Sequence, residues 1–139
     1  MEYVKYIVLT VVIILVLLVT YYTYTKENFV RNNELDNIVE NLKKVFPIVE
    51  NLNFYEGDKS YTINKKNVYI CMKDENSRYY NRNFLIFVIL HEISHALCDE
   101  IGHTDKFSRI FQQVLQKAAA HGLYDPNGKK VVNYCNYKK

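Results

Sequence analysis

Four glycines and two prolines among 139 residues leave no place for a collagen-like, Pro-rich or low-complexity tract, and no internal repeat is present. Charge of one sign is also scarce. A net charge of +3 does not mark a dedicated nucleic-acid binder, and Lys129, Lys130, Lys138 and Lys139 read as a solvated tail. Three cysteines is an odd number, which excludes a complete disulfide framework within one chain. Cys71 and Cys98 are read most simply as small core residues. No asparagine opens an N-x-Ser/Thr sequon. No glutamate follows Glu100, which removes one class of metal ligand from the C-terminal part of the chain. The length allows one small domain beside an anchor, not two domains.

Long apolar runs are present, and the first begins at Val4. About 20 residues follow with a single charge, Lys5, near the end where it can snorkel. Tyr3 and Tyr6 on one side and Tyr21, Tyr22 and Tyr24 on the other suit an interfacial belt. A cleaved signal peptide would need small residues in an A-x-A-like arrangement, and Tyr21 to Tyr24 offer none. The expectation is a single-pass anchor over residues 1–25 and one domain over residues 26–139. Lys5 and the amino terminus roughly balance Lys26 and Arg31, so charge alone does not orient the anchor. The missing sequons and the odd cysteine count favour a domain that faces the cytoplasm or is enclosed in a particle.

The second apolar run, Phe84 to Leu90, leads directly into His91-Glu92-Ile93-Ser94-His95. On a helix, His91 and His95 are one turn apart and point from the same face, so both imidazoles can meet one metal ion. Glu92 sits beside them, within reach of a water on that metal. The alternative is an amphipathic helix with two histidines on a polar face. That alternative is weakened by the preceding run, apolar on every side, which makes this the buried central helix. Uncompensated histidines and a glutamate would be costly there. With no later glutamate, the candidates for a third ligand are His103, His121, Asp105 and Asp125. His103 follows Gly102, a residue that accepts the positive φ of a returning turn, and is preferred.

His91 to Ala96 together with Gly102-His103-Thr104-Asp105-Lys106-Phe107 resembles the minimal zinc peptidases of the SprT and WLM type. Their pattern is HExxH followed, after a variable spacer, by His and then Phe a few residues on. The resemblance spans roughly residues 68 to 125, and it extends to small membrane-anchored versions in large DNA viruses. It implies a zinc ion on His91, His95 and His103, Glu92 as general base, and Phe107 packing the following helix beneath the metal. The spacing from His95 to His103 differs from the HExxHxxGxxH of metzincins.

Elsewhere, Phe29, Leu35, Ile38, Val39, Leu42, Val45 and Phe46 keep helical spacing between Lys26 and Phe46, and Pro47 stops that helix. Leu52 to Tyr55, Ser60 to Asn64 and Asn67 to Met72 are short β-rich runs that suggest an antiparallel meander. The resemblance makes Val68 to Met72 the strand at the cleft edge, where an extended substrate would pair; an ordinary inner strand is the competing reading. Asn81 or Asn83 can cap the central helix. Thr104 can cap a last helix running to about His121, closed by Gly122, and Val131 to Tyr134 reads as a last short strand. The fold class is thus α+β: a small zincin-like domain, helices on a short antiparallel sheet with HExxH on the central helix, behind a transmembrane helix.

The function expected from these residues is membrane-anchored, zinc-dependent hydrolysis of a protein or peptide substrate, with Tyr124 a candidate transition-state donor. A zinc-stabilised binding or structural module is the alternative. Action on nucleic-acid-bound proteins is disfavoured, since no segment resembles a DNA-binding module. The anchor has a direct test. The intact chain should resist extraction from membranes by alkaline carbonate, whereas a mature product beginning near residue 25 would identify a cleaved signal.

Overall fold

A computed structural model describes residues 1–27 and 31–136. Phe29, the Lys26 side chain, Lys138 and Lys139 lie outside what it describes. The chain divides into two compact units, of which the first carries a single helix, α1 (Glu2–Glu27). Within it, Glu2–Tyr24 is long and apolar enough to cross a membrane. Its apolar side chains from Val4 to Val19 are exposed.

The second unit is α+β. Asn32 caps α2 (Asn33–Lys43), its Oδ1 accepting from the Glu34 and Leu35 amides at 2.9 and 3.1 Å. The helix therefore starts later than apolar spacing alone suggests. Its buried stripe, Leu35, Ile38, Val39 and Leu42, faces the core. Pro47 opens a 3-10 turn over Pro47–Asn51, where a missing N–H costs nothing.

Three strands follow: β1 (Asn53–Glu56), β2 (Tyr61–Ile63) and β3 (Asn67–Ile70). The expected antiparallel meander is not what forms. The order is β1-β3-β2, with β1 parallel and β2 antiparallel to β3. Val68, Ile70, Cys71 and Met72 are at most 1% exposed, so this run is buried on both faces and takes the centre. Val68 to Met72 is accordingly an inner strand, and β1 and β2 hold the two edges. Gly57 lets the chain cross: its amide donates to the Ile70 carbonyl at 2.9 Å, and a Cβ there would lie 3.2 Å from the Tyr69 Cβ.

Asn81 caps the central helix α3 (Arg82–Leu97), and Thr104 caps α4 (Asp105–Ala120), which Gly122 closes with φ +69°. Residues 131–134 form no strand. Asn133 and Cys135 adopt positive φ, which breaks an extended run, and the segment is held by side chains instead. Tyr134 donates its hydroxyl to the Cys71 carbonyl at 2.5 Å, and Cys135 pairs with Cys71 in a disulfide. Cys71 is therefore a cross-linked residue rather than a simple core residue, while Cys98 is a free, buried thiol.

Alkylation before reduction should modify one thiol only after unfolding, and alkylation after reduction should modify three. Cys135→Ser should lower stability by about 2–4 kcal/mol, measured as a shift in the denaturation midpoint under non-reducing conditions.

Candidate metal centre

The first turns of α3 are core: Phe84, Leu85, Ile86, Val88, Ile89 and Leu90 are buried. The helix emerges at its C-terminal end, and there His91 and His95 project together toward one side. Helical structure stops at Leu97, earlier than Gly102. Cys98 is extended, and its carbonyl accepts from Lys65 Nζ at 2.5 Å, which ties the break to the turn between β2 and β3. Gly102, at φ +83°, then turns the loop immediately before His103. The side chain of Thr104 accepts from the Phe107 amide at 3.2 Å, so α4 begins at once.

Three imidazoles converge. The Nε2–Nε2 separations are 3.2 Å for His91–His95, 3.2 Å for His95–His103 and 3.0 Å for His91–His103. A tetrahedral centre with metal–nitrogen bonds of about 2.0–2.1 Å separates its nitrogens by roughly 3.3–3.4 Å, so the trio is close to coordinating geometry. Each neutral imidazole has one N–H, and three Nε2 atoms facing one point cannot all satisfy one another. A cation at that point satisfies all three, and the residues present fit a metal ion. Of the other third-ligand candidates, His121 is at the far end of α4, where its Nδ1 sits 2.8 Å from the Lys117 carbonyl oxygen.

Phe107 forms the wall beneath the trio, with ring centroids 4.2 Å from His95, stacked, and 5.0 and 4.9 Å from His91 and His103. Phe111 packs edge-on against His91 at 5.0 Å. This apolar floor shapes the protonation of the ligands. Burial, and then the nearby charges of His95 and His103, push the His91 pKa down to about 4. Burial, then His103, lowers that of His95 as well. Both rings are thereby held in the neutral form that a metal requires.

Glu92 lines the same cleft as the three histidines, a space of about 460 Å³. It is 5% exposed, and burial raises its pKa while a hydrogen bond from Thr62 opposes that rise. Tyr124, by contrast, is a core residue packed near Phe87, and does not line the cleft. The opposite wall comes from Ser60, from Tyr61 and Thr62 of β2, and from Asn64 and Lys65 of the turn that follows. No motif singled these out. The alternation of Tyr61, Thr62 and Ile63 signals that Thr62 faces away from its neighbours, but not what it meets.

No protein-family model matches the chain, and no solved structure matches it. It is similar to uncharacterized protein 136R of Invertebrate iridescent virus 6, 52% identical over 91 residues, or 63% of this chain and 51% of the relative. It is 51% identical over 90 residues to uncharacterized protein 042R of Invertebrate iridescent virus 3, covering 64% of this chain and 57% of that one. A more distant likeness, 27% over 95 residues, is to uncharacterized protein R325 of Acanthamoeba polyphaga mimivirus, covering 63% and 47%. The chain thus spans about half the length of the curated relatives it matches. They are proteins of large DNA viruses, as the sequence resemblance implied, and their names point to no peptidase family.

Metal content of the purified chain tests the ligand set. One ion per chain is expected, lost in His91→Ala, His95→Ala and His103→Ala and retained in His121→Ala. Retention by His103→Ala with loss in His121→Ala would overturn the assignment.

Proposed function

We propose that this chain is a membrane-anchored zinc endopeptidase with a zincin-like domain akin to the SprT and WLM peptidases. The observation that carries the reading is the convergence of three imidazole Nε2 atoms at 3.0–3.2 Å in a cleft that Glu92 also lines. Three neutral imidazoles with an open fourth position are the donor set of a catalytic zinc site; a closed structural site uses four protein ligands. Zinc held by His91, His95 and His103 would supply Lewis acidity, lowering the pKa of water to about 7.

The remaining chemistry belongs to the protein. Glu92 takes the proton of the attacking water and hands it to the departing amine. Burial against the apolar floor of Phe107 and Phe111 lowers the pKa of His91 and His95 and so favours their neutral, metal-binding form. β2, rather than the inner β3, offers a strand edge beside the cleft, where an extended peptide can add by backbone hydrogen bonds. So small a cleft suits an unfolded or extended segment better than a folded protein. α1 would hold the domain at a membrane, and the Cys71–Cys135 disulfide favours an oxidising compartment or a particle interior over the cytoplasm.

The second reading is a zinc-stabilised, membrane-anchored module without activity. Glu92→Gln separates the two. In the intact, detergent-solubilised chain it should retain zinc but lose roughly 10²–10⁴-fold in cleavage rate on unfolded protein or a peptide library. A zinc-loaded wild-type chain that cleaves neither across neutral pH would favour the module.

A further inference from the structure

The carboxylate of Glu92 has a partner that lies outside the HExxH motif. Thr62, the middle residue of β2, donates its hydroxyl to Glu92 Oε2 at 2.8 Å, and the same Oγ1 lies 3.3 Å from the Glu92 carbonyl oxygen. Tyr61 and Ile63 on either side are 43% and 42% exposed, so Thr62 is the one residue of the strand that turns toward α3. A terminal carboxylate torsion is otherwise broad and roughly two-fold, with no preferred setting of its own. A charge-assisted hydrogen bond to a carboxylate only 5% exposed removes that freedom. With Oε2 engaged by Thr62, Oε1 is the oxygen left to receive a proton. The neighbouring hydroxyl cannot substitute: Ser60 Oγ already accepts from the Cys71 amide at 2.9 Å and shares a hydrogen bond with the Tyr134 hydroxyl at 2.6 Å.

We propose that Thr62 is a positioning residue that sets the rotation of the Glu92 carboxylate and so selects the oxygen that accepts the proton. The inference rests on the reading of Glu92 as the general base. It also ties two features of β2 together: the strand whose free edge borders the cleft is the strand that holds the base in place. A residue that merely stabilised the fold would affect stability and metal content. A positioning residue leaves both intact and acts on turnover.

The experiment uses the intact chain in detergent micelles, as wild type, Thr62→Val, Thr62→Ser and Glu92→Gln. In metal-free protein, the infrared carboxylate stretch assigned to Glu92 is the band lost in Glu92→Gln. It should shift in Thr62→Val and stay in place in Thr62→Ser. In zinc-loaded protein, Thr62→Val should lower kcat about 10–100-fold with KM nearly unchanged and zinc content equal, and Thr62→Ser should restore it to within about 3-fold. Should Thr62→Val fail to fold, Thr62→Ala carries the same comparison. An unmoved band in an active enzyme, a rise in KM with kcat kept, or a serine variant as impaired as the valine one would overturn the proposal. A wild-type chain that cleaves nothing while the band still shifts would overturn the peptidase reading, and the positioning role with it, and leave the Thr62–Glu92 contact standing.

Discussion

Two imidazoles one helical turn apart can meet a single ion only if the helix that carries them is fixed and a third donor returns to the same point. Most of the globular unit serves that requirement. The apolar turns of α3 from Phe84 to Leu90 sink the helix into the core, which sets the direction in which His91 and His95 leave it. The break at Cys98, held by Lys65, shortens the helix enough for the chain to turn back. Gly102 makes the turn and His103 arrives. One turn into α4, Phe107 stacks on His95 and closes the space below. Displacing any of these by an ångström would separate nitrogens that now lie within 3.2 Å of one another.

The sheet supplies the facing wall, and its order decides what that wall is made of. Because β3 pairs with β1 on one side and β2 on the other, β2 lies at one edge, with Thr62 turned inward onto Glu92. The C-terminal segment braces the same region from behind. Tyr134 bridges Ser60 and the Cys71 carbonyl, burial raises the pKa of its hydroxyl, and Cys135 is bonded to Cys71 one residue further on. A buried hydroxyl that stays protonated remains a donor, so this brace persists across the neutral range. The wall that holds Glu92 is thus itself held by a covalent link between the inner strand and the chain end.

Local chemistry was legible wherever a rule acts over a few residues. The apolar run after Val4, the one-turn spacing of His91 and His95, the caps at Asn81 and Thr104, the turns at Gly102 and Gly122 and the stripe of α4 are all of this kind. Each follows from helix periodicity, from a side chain satisfying an amide within its reach, or from the φ that glycine tolerates. The position of His103 beside His91 and His95 belongs with them, because the return of the chain is set by a loop of only a few residues.

What tertiary structure alone decided is pairing between segments that no local rule connects. Strand period states which residues share a face but not which strand lies beside which, so the expected meander gave way to β1-β3-β2. Whether Val68 to Met72 is edge or centre depended on which strands paired along it, and β1 and β2 take its two sides. Cys71 meets Cys135 across 64 residues of sequence, and Thr62 meets Glu92 across 30. A threonine in a three-residue strand carries no sign of such a partner. Its meaning comes from the packing of α3 against the sheet, which brings a buried carboxylate within hydrogen-bond reach of the Thr62 hydroxyl.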